Sequence, residues 1–245
     1  MVNGFVIENF CHLLYTVFMK KTTLIAGKDY PAGTTYSNFA ANAERNVLIT
    51  LPAGVEIEAT GHNGTITWNR PSPISARSLI LKALNDYKSL DEVILVFDAQ
   101  FNAPDYALCD IESFSKVCDE LILGYSYITQ EVLKQFEKQN SGRLVFVLKY
   151  MPTFANPVKT GPEIRPASIP LAVAQEAFIA MAENFAARAE NQNKQYQITL
   201  VRADSNSDSE ICTWLFSYLD ELQNRKTTGW LKPGSKTGKV FSFLK

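Results

Sequence analysis

Histidine is nearly missing from this sequence: His12 and His62 are the two it has. A Ser-His-Asp triad needs an imidazole held in a structured pocket. His62 stands in Gly61-His62-Asn63-Gly64, which reads as a solvated turn, and neither H-E-x-x-H nor G-x-S-x-G occurs. The four cysteines, Cys11, Cys109, Cys118 and Cys212, are scattered with no C-x-x-C pair. That spacing argues against a zinc site and a disulfide scaffold, so no metal is expected and a reducing, cytoplasmic compartment is. Excess positive charge is missing too: 24 Lys and Arg face 25 Asp and Glu, a net charge of −1. A nucleic-acid partner would demand a basic footprint to neutralise phosphates, so none is expected.

Long apolar runs are also lacking. Residues 1–18 are largely apolar, but Glu8, Asn9 and His12 interrupt them. A membrane helix wants about twenty apolar residues, and a signal peptide wants a basic start and a small-residue cleavage site. The sequence therefore predicts no membrane attachment. Met19-Lys20-Lys21-Thr22 reads as a natural cytosolic start directly before a strand. Residues 1–18 are read as an N-terminal extension, with an added helix packed on the domain or on a neighbour as the other reading. With 46% hydrophobic residues and no linker or repeat, residues 19–245 are expected to form a single domain.

What is present alternates between two periods. Short apolar runs read as strands at 22–26, 47–51, 65–68, 92–97, 144–148 and 197–202. Between them, apolar residues step by three and four over 36–45, 75–87, 110–138, 169–190 and 210–223, which predicts helices. Pro52 and Gly54 stop the second strand, and Ser141-Gly142 ends the long helix. Residues 152–166 form a proline-rich loop, and the tail from Asn224 is read as irregular. Strand–helix alternation implies parallel pairing through right-handed crossovers. The fold class is thus α/β: a Rossmann-like, doubly wound parallel sheet with helices on both faces.

The stretch DIESFSKVCDELILGYSYITQEVLKQFEKQNSGRLVFVLK, residues 110–149, carries a family likeness in its spacing, in Gly124 and in Ser141-Gly142-Arg143. It resembles the long fourth helix, the S-G-R-[IL]-V turn and the fifth strand of the short-chain dehydrogenase/reductases. DEVILVFDAQ (91–100), the helix around 174–188 and QITLVRAD (197–204) resemble the family's neighbouring elements, so the likeness covers residues 20 to 222. It implies a Rossmann fold, a nicotinamide cofactor, hydride transfer, and oligomers built by pairing the fourth and fifth helices.

The positions that carry the family's chemistry hold other residues. Its Thr-Gly-x-x-x-Gly-x-Gly turn corresponds here to Ala26-Gly27-Lys28-Asp29-Tyr30-Pro31-Ala32-Gly33. Gly27 and Gly33 match the outer glycines, while Pro31 adds a ring and removes an N–H where a pyrophosphate approaches. The turn is read as a plain strand-to-helix connection, with Lys28 and the helix start near Thr34-Thr35 offering weak anion binding. Leu51-Pro52 provides no partner for a ribose 2′-OH or a 2′-phosphate. Trp68 and Asn69 stand nearest the family's adenine contact, and Asp98-Ala99-Gln100 replaces Asn-Ala-Gly. The residues left for cofactor contact are Gly27, Lys28, Gly33, Asn69, Asp98 and Ala99, and binding of NAD or NADP is doubtful.

The family's Asn, Ser, Tyr and Lys fall on Leu121, Lys149, Ala172 and Glu176, within one or two residues. A catalytic tyrosine needs a nearby cation to lower its pKa from about 10. Glu176 would act in the opposite direction, and no Tyr in the chain is followed four residues later by Lys. No catalytic residue is assigned. Asp98, Lys149, Tyr150, Thr153, Lys159 and Glu176 are expected to gather at the carboxyl ends of the strands, with Lys149 and Glu176 as an ion pair. The tail Pro233-Gly234-Ser235-Lys236-Thr237-Gly238-Lys239 looks phosphate-friendly but lacks P-loop context.

Helix 169–190 is apolar on two faces, and helix 110–138 has spare apolar residues including Tyr127 and Leu133. A homo-oligomer, or a hetero-oligomer with an active relative, is therefore expected through helices 110–138 and 169–190. The function expected is that of a divergent, non-catalytic short-chain dehydrogenase/reductase acting as structural partner or ligand-sensing scaffold. The alternatives are an NAD(P)-dependent oxidoreductase with a rearranged site, and a non-redox ligand-binding protein using the pocket near Lys149.

Overall fold

The structure is a computed structural model that describes residues 20–55, 64–157, 165–204, 206–221 and 229–234. The extension 1–18, both histidines, Lys159 and most of the tail lie outside the described residues.

Seven strands form one parallel sheet in the order β3-β2-β1-β4-β5-β6-β7. They are β1 (Thr22–Ala26), β2 (Asn46–Pro52), β3 (Thr65–Trp68), β4 (Glu92–Asp98), β5 (Arg143–Lys149), β6 (Gln197–Arg202) and β7 (Trp230–Leu231). The central strand β4 reads Glu-Val-Ile-Leu-Val-Phe-Asp and is buried at every residue. A strand covered by helices on both faces has no solvent side, so its apolar run is continuous and not alternating. The order reverses between β1 and β4, which are paired with Thr23 beside Glu92 and Ala26 beside Leu95. That reversal opens a crevice at the carboxyl ends, where such sheets hold ligands.

The helices between strands are α1 (Thr34–Asn42) and α2 (Pro73–Tyr87), then α3 (Ala99–Asn102) with a 3₁₀ turn, Ala103–Tyr106. The long α4 runs through Ile111–Val117, a π-helical Cys118–Leu123 and Gly124–Gln139. The last two are α5 (Ile169–Asn191) and α6 (Asp208–Glu221). Their starts are chemically marked. Ser72, Asp110 and Ser168 each accept a hydrogen bond from the backbone N–H three residues on, and Pro73 and Pro170 follow two of these caps. Such caps satisfy N–H groups that have no partner within the helix. Lys88 and Asn140, both in left-handed conformation, end α2 and the long α4.

One core layer gathers α2, α4 and α5 on one face of the sheet, and a second gathers α1 and α6 on the other. Phe178 of α5 centres the larger layer, with its ring 5.1 Å from Phe97, 5.0 Å from Tyr125 and 5.5 Å from Phe146. Ring pairs at such spacings add about 0.5–1.5 kcal/mol each beyond their burial.

The differences from the sequence reading are local. α1 spans 34–42 and not 36–45, because Gly33 and not Tyr36 marks the turn into it. α6 starts at Asp208, two residues earlier than its apolar pattern does. The tail is not wholly irregular: Trp230–Leu231 adds β7 beside Leu200 and Val201. Two residues are too few to show a period, so this strand left no mark in the pattern.

Candidate functional site

The crevice between β1 and β4 is lined by side chains that the strand ends deliver. Asp98 is the last residue of β4 and Lys149 the last of β5, and the two are register partners. Lys28 follows β1, and Asp208 opens α6 after β6. Lys28 Nζ lies 2.7 Å from Asp98 and 2.5 Å from Asp208. Lys149 Nζ lies 3.2 Å from Asp98 and 3.0 Å from Asp208. Each ammonium thus bridges both carboxylates in a closed ring of alternating charge. Asp98 also caps α3 by accepting the Phe101 N–H at 3.1 Å.

Burial raises the Asp98 carboxyl, but the Lys28 hydrogen bond and the Lys149 charge outweigh it and hold the group below its ordinary value. Burial likewise lowers Lys149, and its bonds to Asp208 and Asp98 reverse the sign, leaving it raised. Both groups are therefore charged across the physiological range. On the other side of the ring, burial and then the Asp208 carboxylate push the Cys212 thiol up to about 12. Burial and then Asp208 hold Tyr36 well above its ordinary value, and its buried hydroxyl has no hydrogen-bond partner among the described residues. Neither group supplies a nucleophile or base near neutral pH.

A second charge pair sits beside the first turn. Arg70 donates to Asp29 at 2.8 Å and to the Gly27 carbonyl at 2.9 Å, and Thr50 donates to Asp29 as well. The Arg70 guanidinium lies 5.0 Å from the Trp68 ring centre and 6.0 Å from that of Tyr125, so it is stacked as well as paired. Asp29 also accepts the Gly33 N–H at its backbone carbonyl, 2.9 Å away, which closes the turn on itself.

The two glycines of this turn answer to the chain's own packing. Gly27 has φ +100, and a Cβ there would collide with the Tyr125 hydroxyl and the Val96 carbonyl. A Cβ on Gly33 would collide with the Lys28 carbonyl. Only glycine combines that φ with such close approach.

The residues singled out from the sequence fare unequally. Asp98 and Lys149 meet, and Lys28 joins them. The Lys149–Glu176 pair does not form: Glu176 is exposed on α5, and Lys149 turns to Asp98 and Asp208. Leu121 is buried in the π-helical stretch, and Ala172 is half-buried on α5. Asn69 is exposed, its N–H given to Ser75 Oγ at 2.9 Å, and Ala99 is buried at the start of α3. Tyr150 lies under the Arg202 guanidinium, 4.2 Å from ring centre to carbon, and Thr153 accepts the Asn156 N–H at 3.0 Å. Sequence reasoning missed Asp208 and Arg70. The available signals were an acid just past β6 and an arginine two residues past the indole that ends β3.

Among the described residues, no group of three His, Cys, Asp or Glu side chains could hold a metal ion. Among the same residues, no helix is long and apolar enough to cross a membrane.

No family model matches this chain. An uncharacterised protein of Treponema pallidum (strain Nichols) is 28% identical over 177 residues, 71% of this chain and 75% of that protein. Among solved structures, a short-chain dehydrogenase of Leptospira borgpetersenii with bound NAD+ superposes with a TM-score of 0.67 at 12% identity, covering 88% of this chain and 92% of that one. The enoyl-[acyl-carrier-protein] reductase (NADH) of Aquifex aeolicus gives 0.62 at 12% identity, over 88% and 96%. A short-chain dehydrogenase/reductase of Burkholderia phymatum in complex with NAD gives 0.61 at 10% identity, over 89% and 90%. Identities this low speak for architecture: the chain has the Rossmann-like fold of the short-chain dehydrogenases/reductases.

Proposed function

We propose that this chain is a short-chain dehydrogenase/reductase-like protein without hydride-transfer chemistry, serving as a structural partner or ligand-sensing scaffold. The observation that carries this reading is the closed ring of Lys28, Asp98, Lys149 and Asp208 across the crevice. A pyrophosphate is held by free backbone N–H groups and uncompensated positive charge. Here two ammonium groups are matched by two carboxylates, Arg70 is matched by Asp29, and Pro31 has no N–H to give. The residues present do not fit a dinucleotide. The positions that correspond to the family's catalytic Tyr and Lys, Ala172 and Glu176, bear neither a phenol nor a cation.

Titration calorimetry with NADH and with NADPH tests the reading. No heat of binding is expected up to millimolar nucleotide, and no rise in melting temperature, which binding to the folded state alone would cause. Micromolar binding of either would overturn it and favour the alternative, an NAD(P)-dependent oxidoreductase with a rearranged site.

The partner surface proposed is the outer face of α4 and α5. Leu123 is exposed there, and Tyr127, Ile179, Met181 and Phe185 are half-buried. Helices apolar beyond the stripe they bury favour a second copy or an active relative. Sedimentation velocity of the chain at micromolar concentration should give a dimer or tetramer, and a monomer would rule out self-pairing. A cytoplasmic setting is part of the proposal, in keeping with the free, exposed thiols of Cys109 and Cys118.

A further inference from the structure

The carboxyl edge of the sheet carries an apolar surface that the core leaves uncovered. Ile111 is 90% exposed, Phe154 73%, Leu108 65%, Ile169 51% and Val173 45%. Three loops are tied together to make it. Ser168 Oγ donates to the Tyr106 carbonyl at 2.5 Å, and the Ala167 N–H donates to the Pro152 carbonyl at 2.7 Å. The first turns of α4, which begin at Ile111, pack against α5, which begins at Ile169. Scattered exposed apolar residues need no explanation, but a run of large ones joined across three segments does.

The border of this surface is mainly acidic, with Arg165 exposed on the segment that leads into α5. Asp105, Asp110, Glu112 and Asp119 are exposed on the segments that carry Leu108 and Ile111. Glu176 is exposed on α5, seven residues after Ile169 and three after Val173, so the three share one helical face. Lys116, placed 5.1 Å over the Tyr106 ring, is the one base among residues 103–120. The surface therefore suits an occupant with aromatic or aliphatic side chains and several positive charges.

The chain itself carries such a segment and delivers it to the same edge. Residues 235–245, Ser-Lys-Thr-Gly-Lys-Val-Phe-Ser-Phe-Leu-Lys, hold three lysines, no acid, and the apolar Val240, Phe241, Phe243 and Leu244. They lie beyond the described residues. β7 runs parallel to β6, with Leu231 level with Val201, so the chain passes Lys232 and Gly234 at the carboxyl edge. It does so on the α5 side, where Trp230 Nε1 donates to Glu183 at 2.7 Å. Eleven residues reach at most about 36 Å when extended, against a radius of gyration of about 18 Å for a domain of this length. The span is sufficient.

We infer that residues 235–245 dock in cis on the acid-bordered apolar surface formed by Leu108, Ile111, Phe154, Ile169 and Val173. Phe241, Phe243 and Leu244 cover the apolar side chains, and Lys236, Lys239 and Lys245 face the acids. The inference is independent of whether a nucleotide binds.

The full chain with Phe241→p-benzoylphenylalanine tests it by photo-cross-linking and peptide mapping. A mixture of isotopically heavy and light protein separates links within a chain from links between chains. Expected are links within one chain to residues 103–112, 151–157 and 165–176. Their yield should fall at least fivefold between low and 1 M salt, where the screening length shrinks to about 3 Å. Ile111→Asp should abolish them, and because Ile111 is 90% exposed this variant keeps the fold, as circular dichroism will show. Links to other parts of the chain, links only between chains, or no links at all would overturn the inference. So would an undiminished yield in Ile111→Asp.

Discussion

The two ends of the sheet carry buried ionic networks of similar size and different design. At the amino end, Arg45 reaches Glu92 at 2.6 and 3.3 Å and Asp220 at 2.8 Å, while Thr23 donates to Glu92 at 3.0 Å. That cluster joins β1, β4, the turn into β2 and the last turn of α6, with Arg45 stacked over Phe216. It sits at the amino ends of β1 and β4, opposite the crevice at their carboxyl ends. At the carboxyl end, Lys28 and Lys149 alternate with Asp98 and Asp208 at the place where this architecture receives ligands. The comparison teaches that buried charge does not by itself mark a reactive centre in this molecule. At the amino end Arg45 and Glu92 are fully buried and Asp220 is half-exposed; that network holds elements together, and the ring at the carboxyl end joins elements in the same way.

The sharpest way to break that comparison is to remove one partner from each network. Arg45→Ala should lose about 3–5 kcal/mol of stability, because the buried Glu92 would keep only the Thr23 hydroxyl and the half-exposed Lys21 ammonium, 3.6 Å away. Urea unfolding measures it, and a loss below about 1 kcal/mol would mean that water reaches the amino end. Asp98→Asn should lose less, about 1.5–3 kcal/mol, since Asp208 still holds both lysines.

The same variant makes the ring visible in pH. Asp98 is lowered in the fold, so its contribution is present above the unfolded value of about 3.9 and disappears as pH falls through the folded one. Lys149 is raised, so its contribution is present below about 10.4 and disappears as pH rises through its folded value. The stability gap between the parent and Asp98→Asn should therefore be flat from about pH 5 to 9 and narrow on the acid side. A gap that changes near pH 7 would place an unrecognised titrating group in the ring.

The smallest effect sharpens the assignment of partners. Glu176→Gln should change stability by less than about 0.5 kcal/mol, as is usual for an exposed side chain outside any network. A loss of 2 kcal/mol or more would restore the Lys149–Glu176 pair and open the ring.

The fold was legible because parallel strands covered on both faces write themselves as short apolar runs, such as 92–97 and 144–148, spaced by helical stretches. The strand ends were legible for the same reason, and with them Asp98 and Lys149. Their partners were not. Asp208 stands 180 residues from Lys28 in the chain, and its meeting with both lysines depends on α6 beginning two residues before its apolar pattern does. Arg70 stands in no pattern of its own, and only the approach of Trp68, Tyr125 and Asp29 gives it a role. Glu176 was placed by its match to the family's Lys position, and such a match assigns a place on α5 without fixing what the side chain meets.

The two-residue β7 bears on how the molecule meets its own kind. A sheet with an open rim presents unpaired N–H and C=O groups to any other chain in solution, and growth from that rim has no natural stop. Here the β6 rim is closed at Leu200 and Val201 by a strand too short to template a further one, and Trp230 is fastened to α5 by its indole N–H. The β3 side offers four residues. Among the described residues the two margins offer ladders of two and four residues, so edge-to-edge growth of the sheet has little backbone to build on.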